Sequence, residues 1–436
     1  MNITKLQSLI KQFGNKTILV IGDIMLDQYL YGVVSRISPE VPVPILKKTH
    51  EKFVLGGASN VANNLSMLGA KVFLCGVTGN DRNREVILKL LKECNIDASL
   101  VLIEKTRATT VKQRLVSGNS HQLLRLDIED VYNLEREYEK KVISIIQKKI
   151  EDIDGVIFSD YAKGFFSAGL TKSLIKIIKK YKKKIFAGIK PENKDFFKGV
   201  DLVKPNLKEA IEMTKVKDLY KAGEKLVKFY KSDIVITKGD QGLTVFEKNG
   251  GVCDIPTKKI KIIDITGAGD TALATLSLGL LCGLNLSEAG DLANRAAGVV
   301  VQKPGTATLT YEELASLLEH TKNIEETAIV PKIWGYEKWL ENNQKYCCKL
   351  LSLNKGYQCS LHYHREKDEM FFLTQGHVRL EADGKVIHMR AGDFTRIKPG
   401  TKHRFRGIED SIIIEVSTHH EEADSYRIEE SRKVDE

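Results

Sequence analysis

Asp264-Ile265-Thr266-Gly267-Ala268-Gly269-Asp270, followed by an apolar run through residue 281, decides the reading of this chain. Two glycines and an alanine let backbone N–H groups converge on an anion, and a helix starting at the turn adds the positive end of its dipole. A carboxylate at such a turn, here Asp270, can take a proton from a hydroxyl. The N–H groups of Gly267, Ala268 and Gly269 would meanwhile stabilise a transferring phosphoryl group. Taken alone, the turn reads equally well as a helix N-cap after a strand, with Asp270 satisfying free N–H groups.

A second turn, Gly56-Gly57-Ala58-Ser59-Asn60, opens a helical pattern (Val61, Leu65, Leu68) that Gly69-Ala70 closes, the form of a small-ligand clamp beside a strand. With these two motifs the chain resembles the ribokinase-like carbohydrate kinases. Five further stretches sharpen the resemblance to D-glycero-D-manno-heptose 7-phosphate kinases, which also form the first domain of the bifunctional heptose kinase and adenylyltransferase. They are Gly22-Asp23-Ile24-Met25-Leu26-Asp27 with the segment 35–44, residues 119–127, Ser159-Asp160-Tyr161-Ala162-Lys163-Gly164, and Lys303-Pro304-Gly305-Thr306-Ala307-Thr308. The ordered set spans about residues 1–320 and is far more specific than any one motif.

The resemblance implies ATP- and Mg2+-dependent phosphorylation of the heptose 7-phosphate at C1, a step toward nucleotide-activated heptose. It implies sugar contacts from Asp23, Asp27, Gly56, Gly57 and Asn60, with Asp270 as base for the anomeric hydroxyl. Lys112 and Arg114 alternate on a strand and match contacts to the sugar or its phosphate, although a surface strand explains their spacing equally well. Asn206-Leu207-Lys208-Glu209 resembles a motif whose Glu helps hold magnesium; by itself it is a helix first turn with a favourable acid. Lys238, Gly239 and Gly242 match a nucleotide-side turn, Asn294 borders the adenine site, Lys190 is retained beside the phosphates, and Asp264 supports magnesium or the turn. Gly188 stands where many relatives carry Asp, so an acid on the phosphate side is missing; if that acid organises magnesium or water, activity is weakened or metal use altered, but with Lys190 and the other motifs intact a kinase is still expected.

Along the first three hundred residues, short apolar strands (17–21, 71–76, 155–159, 184–188, 202–204, 234–237) alternate with helical patterns such as 85–94 and 218–230. That alternation predicts an α/β, doubly wound sheet. Residues 27–54, with Pro42 and Pro44, read as a small β lid of edge strands, which in the family covers the sugar and contributes to a homodimer. At 436 residues the chain exceeds the size at which one core stops growing. The division expected is a kinase domain over 1–322, a linker over 323–330 and a second domain over 331–436.

The formal charge of +10 raises nucleic acid as a partner. The lysines, however, cluster on amphipathic stretches such as 172–184, where a solvated helix face accounts for them, and no aromatic-basic interleaving is present. An anionic sugar phosphate and ATP suffice as small-molecule partners. No window approaches the roughly twenty apolar residues of a membrane span, and seven cysteines without paired spacing fit reduced thiols in a cytoplasmic protein.

The second domain is strand-rich, and seven of the ten histidines lie beyond residue 360. Gly356, His362, His364, Glu369 and Gly376, completed by Gly392, Pro399-Gly400 and His403, resemble the two halves of a cupin, a C-terminal β-barrel of the double-stranded β-helix type. Strand alternation puts His362 and His364 on one face, and with Glu369 and His403 they make a divalent-metal site suited to Zn2+, Mn2+ or Fe2+. A cavity that binds ligand without metal uses the same residues. His377, His388, His419 and His420 are expected at the surface or strand ends. The entry segment 331–337 and Glu415-Val416-Ser417 resemble the mannose-6-phosphate isomerase type of cupin, which would act on the kinase's own sugar phosphate. The competing reading is a noncatalytic sugar-sensing cupin attached to a kinase for another sugar phosphate or a nucleoside.

Overall fold

The strand Thr17–Gly22 is apolar along its whole length, so both of its faces can be buried, and it takes the interior of the main sheet. The computed structural model describes residues 3–118, 121–257, 260–325 and 329–434, which leaves Asn119 and Ser120 of the 119–127 motif outside the described residues. On one side of Thr17–Gly22 lie Lys71–Thr78 and Ile96–Ile103; on the other lie Gly155–Ser159, Lys184–Gly188, Leu202–Val203 and Asp233–Thr237, all parallel. Leu243–Phe246 and Val252–Ile255 add an antiparallel edge, completing nine strands.

The strand order reverses between Thr17–Gly22 and Gly155–Ser159, and an open parallel sheet binds ligands at the carboxyl ends of its strands beside such a reversal. Asp23, Asp160, Gly188, Lys204 and Thr237 all stand at those ends. Helix Ala268–Leu281 crosses beneath them with every residue from Thr271 to Gly279 buried. Its sequence is therefore apolar all round rather than on one stripe. By contrast, helix Ala168–Lys180 buries Leu170, Leu174, Ile175 and Ile178 and leaves Lys172, Lys176, Lys179 and Lys180 outside, the solvated face expected of the lysine-rich stretch.

Residues 27–54 form the core of a long antiparallel pair, Ile24–Ile37 with Pro44–Gly57, extended by Val111–Ser117 and His121–Ile128 into a separate four-stranded sheet. The first two of these strands run out of the main body through Asp23 and return through Gly57. Gly57 has φ +55°, and a Cβ there would stand 2.5 Å from the Asp23 carbonyl, so only glycine fits the return.

The chain divides into two compact units, Met1–Leu317 and Leu318–Glu436. Helix Tyr311–Glu325 runs through the division and strand Ile329–Lys332 begins soon after. The expected linker 323–330 is thus helical at its start and extended at its end, with 326–328 outside the described residues. The second unit is a double-stranded β-helix of two antiparallel sheets, one of six strands and one of seven. Trp334, Leu353, Phe371, Leu373, Val378, Leu380, Phe405 and Ile413 fill the space between them. Among the described residues, no helix is long and apolar enough to cross a membrane.

Candidate active site

Asp270 lies in the first turn of helix Ala268–Leu281, whose N-cap is Gly267 with φ +85°. A Cβ at Gly267 would approach the Asn60 amide nitrogen to 3.1 Å, so the turn can close on Asn60 only with glycine there. Two neutral donors hold the carboxylate: Asn60 Nδ2–H donates to Oδ2 at 2.7 Å and the Tyr161 hydroxyl to Oδ1 at 2.6 Å. Burial raises the Asp270 pKa above the ordinary carboxylate value, against the pull of Tyr161, Asn60 and the Lys204 ammonium. A carboxylate both desolvated and fixed in orientation is suited to accept a proton from a hydroxyl.

A cavity of about 140 Å³ opens beside it, lined by Asp160, Tyr161, Lys190, Lys204, Glu209 and Gly269 among others. Lys204 was not singled out by the sequence reading. It is 8% exposed, and among the described residues no side chain or carbonyl hydrogen-bonds its ammonium. Burial lowers its pKa, opposed by Glu209 and Asp270. An unpartnered buried ammonium beside a helix N-terminus is a strong anion site. The available signal was its place, directly after the parallel strand Leu202–Val203 and before Pro205-Asn206.

Asn206 and Glu209 form a reciprocal capping box on helix Leu207–Thr214: Asn206 Oδ1 accepts the Glu209 N–H, and Glu209 Oε2 accepts the Asn206 N–H. The other Glu209 oxygen accepts from Lys190 Nζ at 2.6 Å. Asp264 spends its oxygens on the amides of Thr266 and Gly305, tying the glycine turn to the segment that carries Thr306. Gly188 lies beside the Asp160 amide, which donates to its carbonyl. A Cβ at Gly188 would come within 3.0 Å of Leu273, and Asp160 is the carboxylate lining this end of the cavity. Burial and the nearby Asp23 push the Asp160 pKa up to about 6.

On the lid side, Asp27 Oδ1 accepts from Arg114 at 2.6 Å and its Oδ2 from the Thr306 hydroxyl at 3.4 Å. Lys112 stands over the Tyr161 ring, 5.4 Å from its centroid. A Cβ on Gly56 would fall 2.8 Å from Asp27 Oδ2, so this glycine leaves room for the carboxylate. Asp23, only 4% exposed, gives both oxygens to the amides of Tyr161, Lys163 and Phe165. It reaches the site through that loop. The turn Lys238, Gly239 and Gly242 is held by an ion pair from Lys238 to Asp254 at 2.8 Å, and Asn294 bonds Thr257 Oγ1 and the Pro256 carbonyl. These four residues bond to their own surroundings and do not line the cavity around Asp270.

The sequence profile of the "pfkB family carbohydrate kinase" matches residues 15–313. The chain belongs to this family of carbohydrate kinases. A second profile, "Cupin domain", matches residues 349–417. The kinase is 41% identical over 347 residues to "Bifunctional protein HldE" of Helicobacter pylori strain Shi470, covering 78% of this chain and 72% of that one. It is 38% identical over 304 residues to the Geobacter metallireducens protein of the same name, covering 68% and 61%. Among solved structures it is similar to Escherichia coli phosphofructokinase-2 in complex with potassium (TM-score 0.59, 18% identity, 70% of this chain and 99% of that one). It is also similar to Arabidopsis thaliana ribokinase complexed with ribose and ATP (TM-score 0.54, 16% identity, 70% and 99%). At those identities the likeness speaks for the fold alone.

In the cupin unit of this pfkB-family kinase, His362 and His403 face each other across paired strands with ring centroids 4.5 Å apart, and His364 lies 5.2 Å from His362. Each Nδ1 meets a backbone carbonyl: His362 that of Ser360, His364 that of Asp424 and His403 that of Thr401. That contact assigns the proton to Nδ1 and leaves each Nε2 with a lone pair. His364 Nε2 lies 3.5 Å and His403 Nε2 3.2 Å from the Glu369 oxygens, and His403 Nε2 and Glu369 Oε2 are buried without hydrogen-bond partners. Burial pushes His362 down to about 4, so it is neutral at physiological pH. Among the described residues, no group of three or more His, Cys, Asp or Glu is already spaced to hold a metal ion. Glu369 Oε1 instead accepts from Lys367 at 2.7 Å, and Lys367 also reaches Glu415.

These residues line a cavity of about 530 Å³ with Trp339, Lys349 and His420. His420 corrects the sequence reading: it lies in the cavity wall, 4.9 Å from the Trp339 ring and 3.4 Å from Lys349 Nζ, because the chain turns inward after strand Ser411–Ser417. His388 does lie at the surface, and His377, half-buried at the start of strand His377–Ala382, is bonded to it.

Proposed function

We propose that the first unit transfers the γ-phosphoryl group of ATP to the anomeric hydroxyl of D-glycero-D-manno-heptose 7-phosphate, giving the 1,7-bisphosphate. The observation that carries this reading is Asp270, pinned between Asn60 of the sugar-side helix and Tyr161, with the helix N-terminus and Lys204 beside it. Asp270 takes the hydroxyl proton while Lys204 and the amides of Gly267, Ala268 and Gly269 offset charge on the moving phosphoryl group. Asp27, Gly56, Gly57, Asn60, Lys112 and Arg114 surround the sugar. The segment 35–44 and the HldE relatives favour a heptose over other sugars.

Glu209, which lines the cavity, would hold the Mg2+ that accompanies ATP, and that ion would offset charge on the phosphates. Lys190 then exchanges Glu209 for a phosphate oxygen. Lys238, Gly239, Gly242 and Asn294 lie on the nucleotide side. ATP as donor fits a cytoplasmic enzyme, and the lid sheet is the surface for a homodimer. The testing experiment is ADP release with heptose 7-phosphate, fructose phosphates and nucleosides as separate acceptors. The heptose should give a kcat/KM at least about tenfold above the others, a difference of about 1.4 kcal/mol. A preferred fructose phosphate or nucleoside would overturn the substrate.

For the cupin, the donor set fits a divalent transition metal: three imidazoles with Nδ1 already bonded outward, and two buried atoms without partners. His362, His364, Glu369 and His403 would hold it. Such a metal would polarise the adjacent oxygens of a sugar phosphate, as isomerisation of sedoheptulose 7-phosphate to the kinase's heptose substrate requires. Lys367 pairs with both Glu369 and Glu415 beside these ligands. His362→Ala is expected to cut bound metal, measured by elemental mass spectrometry, at least about tenfold while kinase activity stays within about twofold. Wild-type protein that binds no metal would contradict this site, leaving a sugar-sensing cavity.

A further inference from the structure

We propose that Tyr161 is a positioning residue for the kinase base, holding the Asp270 carboxylate in its working orientation and in its charged form. Its hydroxyl donates to Asp270 Oδ1 at 2.6 Å, whereas Asn60 serves the other oxygen. This proposal rests on the family's kinase activity and not on the identity of the sugar.

The loop around Tyr161 is built to fix that ring. Its alternate amides at Tyr161, Lys163 and Phe165 donate to the buried Asp23, and the Ala162 amide between them donates to Asp160. Ala162 itself is left-handed at φ +55°, a conformation a residue with a Cβ adopts only under outside constraint. Two buried carboxylates thus anchor four of five consecutive amides, and the ring they orient bonds to the base.

The ring also sits between the two halves of the site. Lys112 from the lid lies 5.4 Å from its centroid and Lys190 from the phosphate side 5.5 Å. Both contacts favour a correctly placed ring over a mobile one. Burial and the neighbouring Asp270 raise the Tyr161 pKa well above its ordinary value, so the hydroxyl keeps its proton as a donor. The charged groups acting on this pair are Asp27 from the lid, Lys204 at its strand end and Glu209 from its helix, besides Lys112 and Lys190. None of these replaces a hydroxyl as a short donor to Oδ1.

The experiment measures Tyr161→Phe across pH with whichever acceptor the wild-type protein turns over. Phenylalanine keeps the ring and both lysine contacts. The expected result is a kcat lower by about 10- to 100-fold, with KM for ATP and sugar within about threefold. Losing a donor to the charged form raises the base pKa, so the acid limb of kcat moves to higher pH by about one unit. A kcat within twofold and an unmoved limb would overturn the proposal. If the phenylalanine variant does not fold, 3-fluorotyrosine incorporated at position 161 gives an independent reading. Its more acidic hydroxyl should strengthen the bond and move the limb to lower pH; an unmoved limb would again overturn the proposal.

Discussion

Asp270→Asn is expected to reduce phosphoryl transfer by about 10²- to 10⁴-fold, a loss of about 3 to 5.5 kcal/mol of transition-state stabilisation. The replacement has the same shape and still accepts from the Tyr161 hydroxyl, but its Nδ2 meets the Asn60 donor, so stability should fall by about 1 kcal/mol while ATP binding stays near wild type. What it cannot do is take the sugar's proton. The depth of the loss separates a base from a helix cap, since a cap contributes about 1 kcal/mol to stability and nothing to the chemical step. Single-turnover rates with saturating ATP check this, and a variant retaining more than a tenth of wild-type turnover would return Asp270 to the capping role.

The second large effect belongs to Lys204. Lys204→Met keeps the buried stem and removes the ammonium that lines the cavity without a partner. Losing one preorganised charge at a transferring phosphoryl group is expected to lower kcat by about 10²- to 10³-fold. The same variant should melt at a higher temperature, because a desolvated, unpaired ammonium is a cost to the folded state. The pH dependence follows from the lowered pKa of this lysine in the folded protein. The cost is fully present below the folded pKa and disappears as pH rises past the unfolded value of about 10.4. The stability gain of the methionine variant should therefore shrink at high pH. Lower activity with higher stability marks a functional group held in place at the fold's expense; loss of both would mark Lys204 as structural.

Much of this site was legible because its chemistry is local in sequence. The 264–270 turn carries its glycines, its helix start and its base within seven residues, and the strand alternation that places it is equally local. Lys204 was not legible among 67 lysines and arginines, because its lack of a partner exists only once helix 268–281 packs under the sheet. Asp23 read as a sugar ligand from its motif, yet its oxygens are taken by amides about 140 residues further along. No periodicity records that distance. In the cupin, the spacing of His362, His364 and Glu369 was visible on neighbouring strands. The Lys367 to Glu415 pair and the inward turn to His420 bring together residues about 50 to 70 positions apart, which composition and alternation do not report.

The proposed reaction makes one bond, that between the transferred phosphorus and the anomeric oxygen. Phosphorus and carbon NMR of the product formed from ATP, Mg2+ and D-glycero-D-manno-heptose 7-phosphate observes it directly. A second phosphate whose phosphorus couples to the proton and carbon at C1 is expected, formed by wild-type protein and absent with Asp270→Asn. A phosphate on any other hydroxyl, or no transfer to the heptose while a fructose phosphate or nucleoside is phosphorylated, would contradict it.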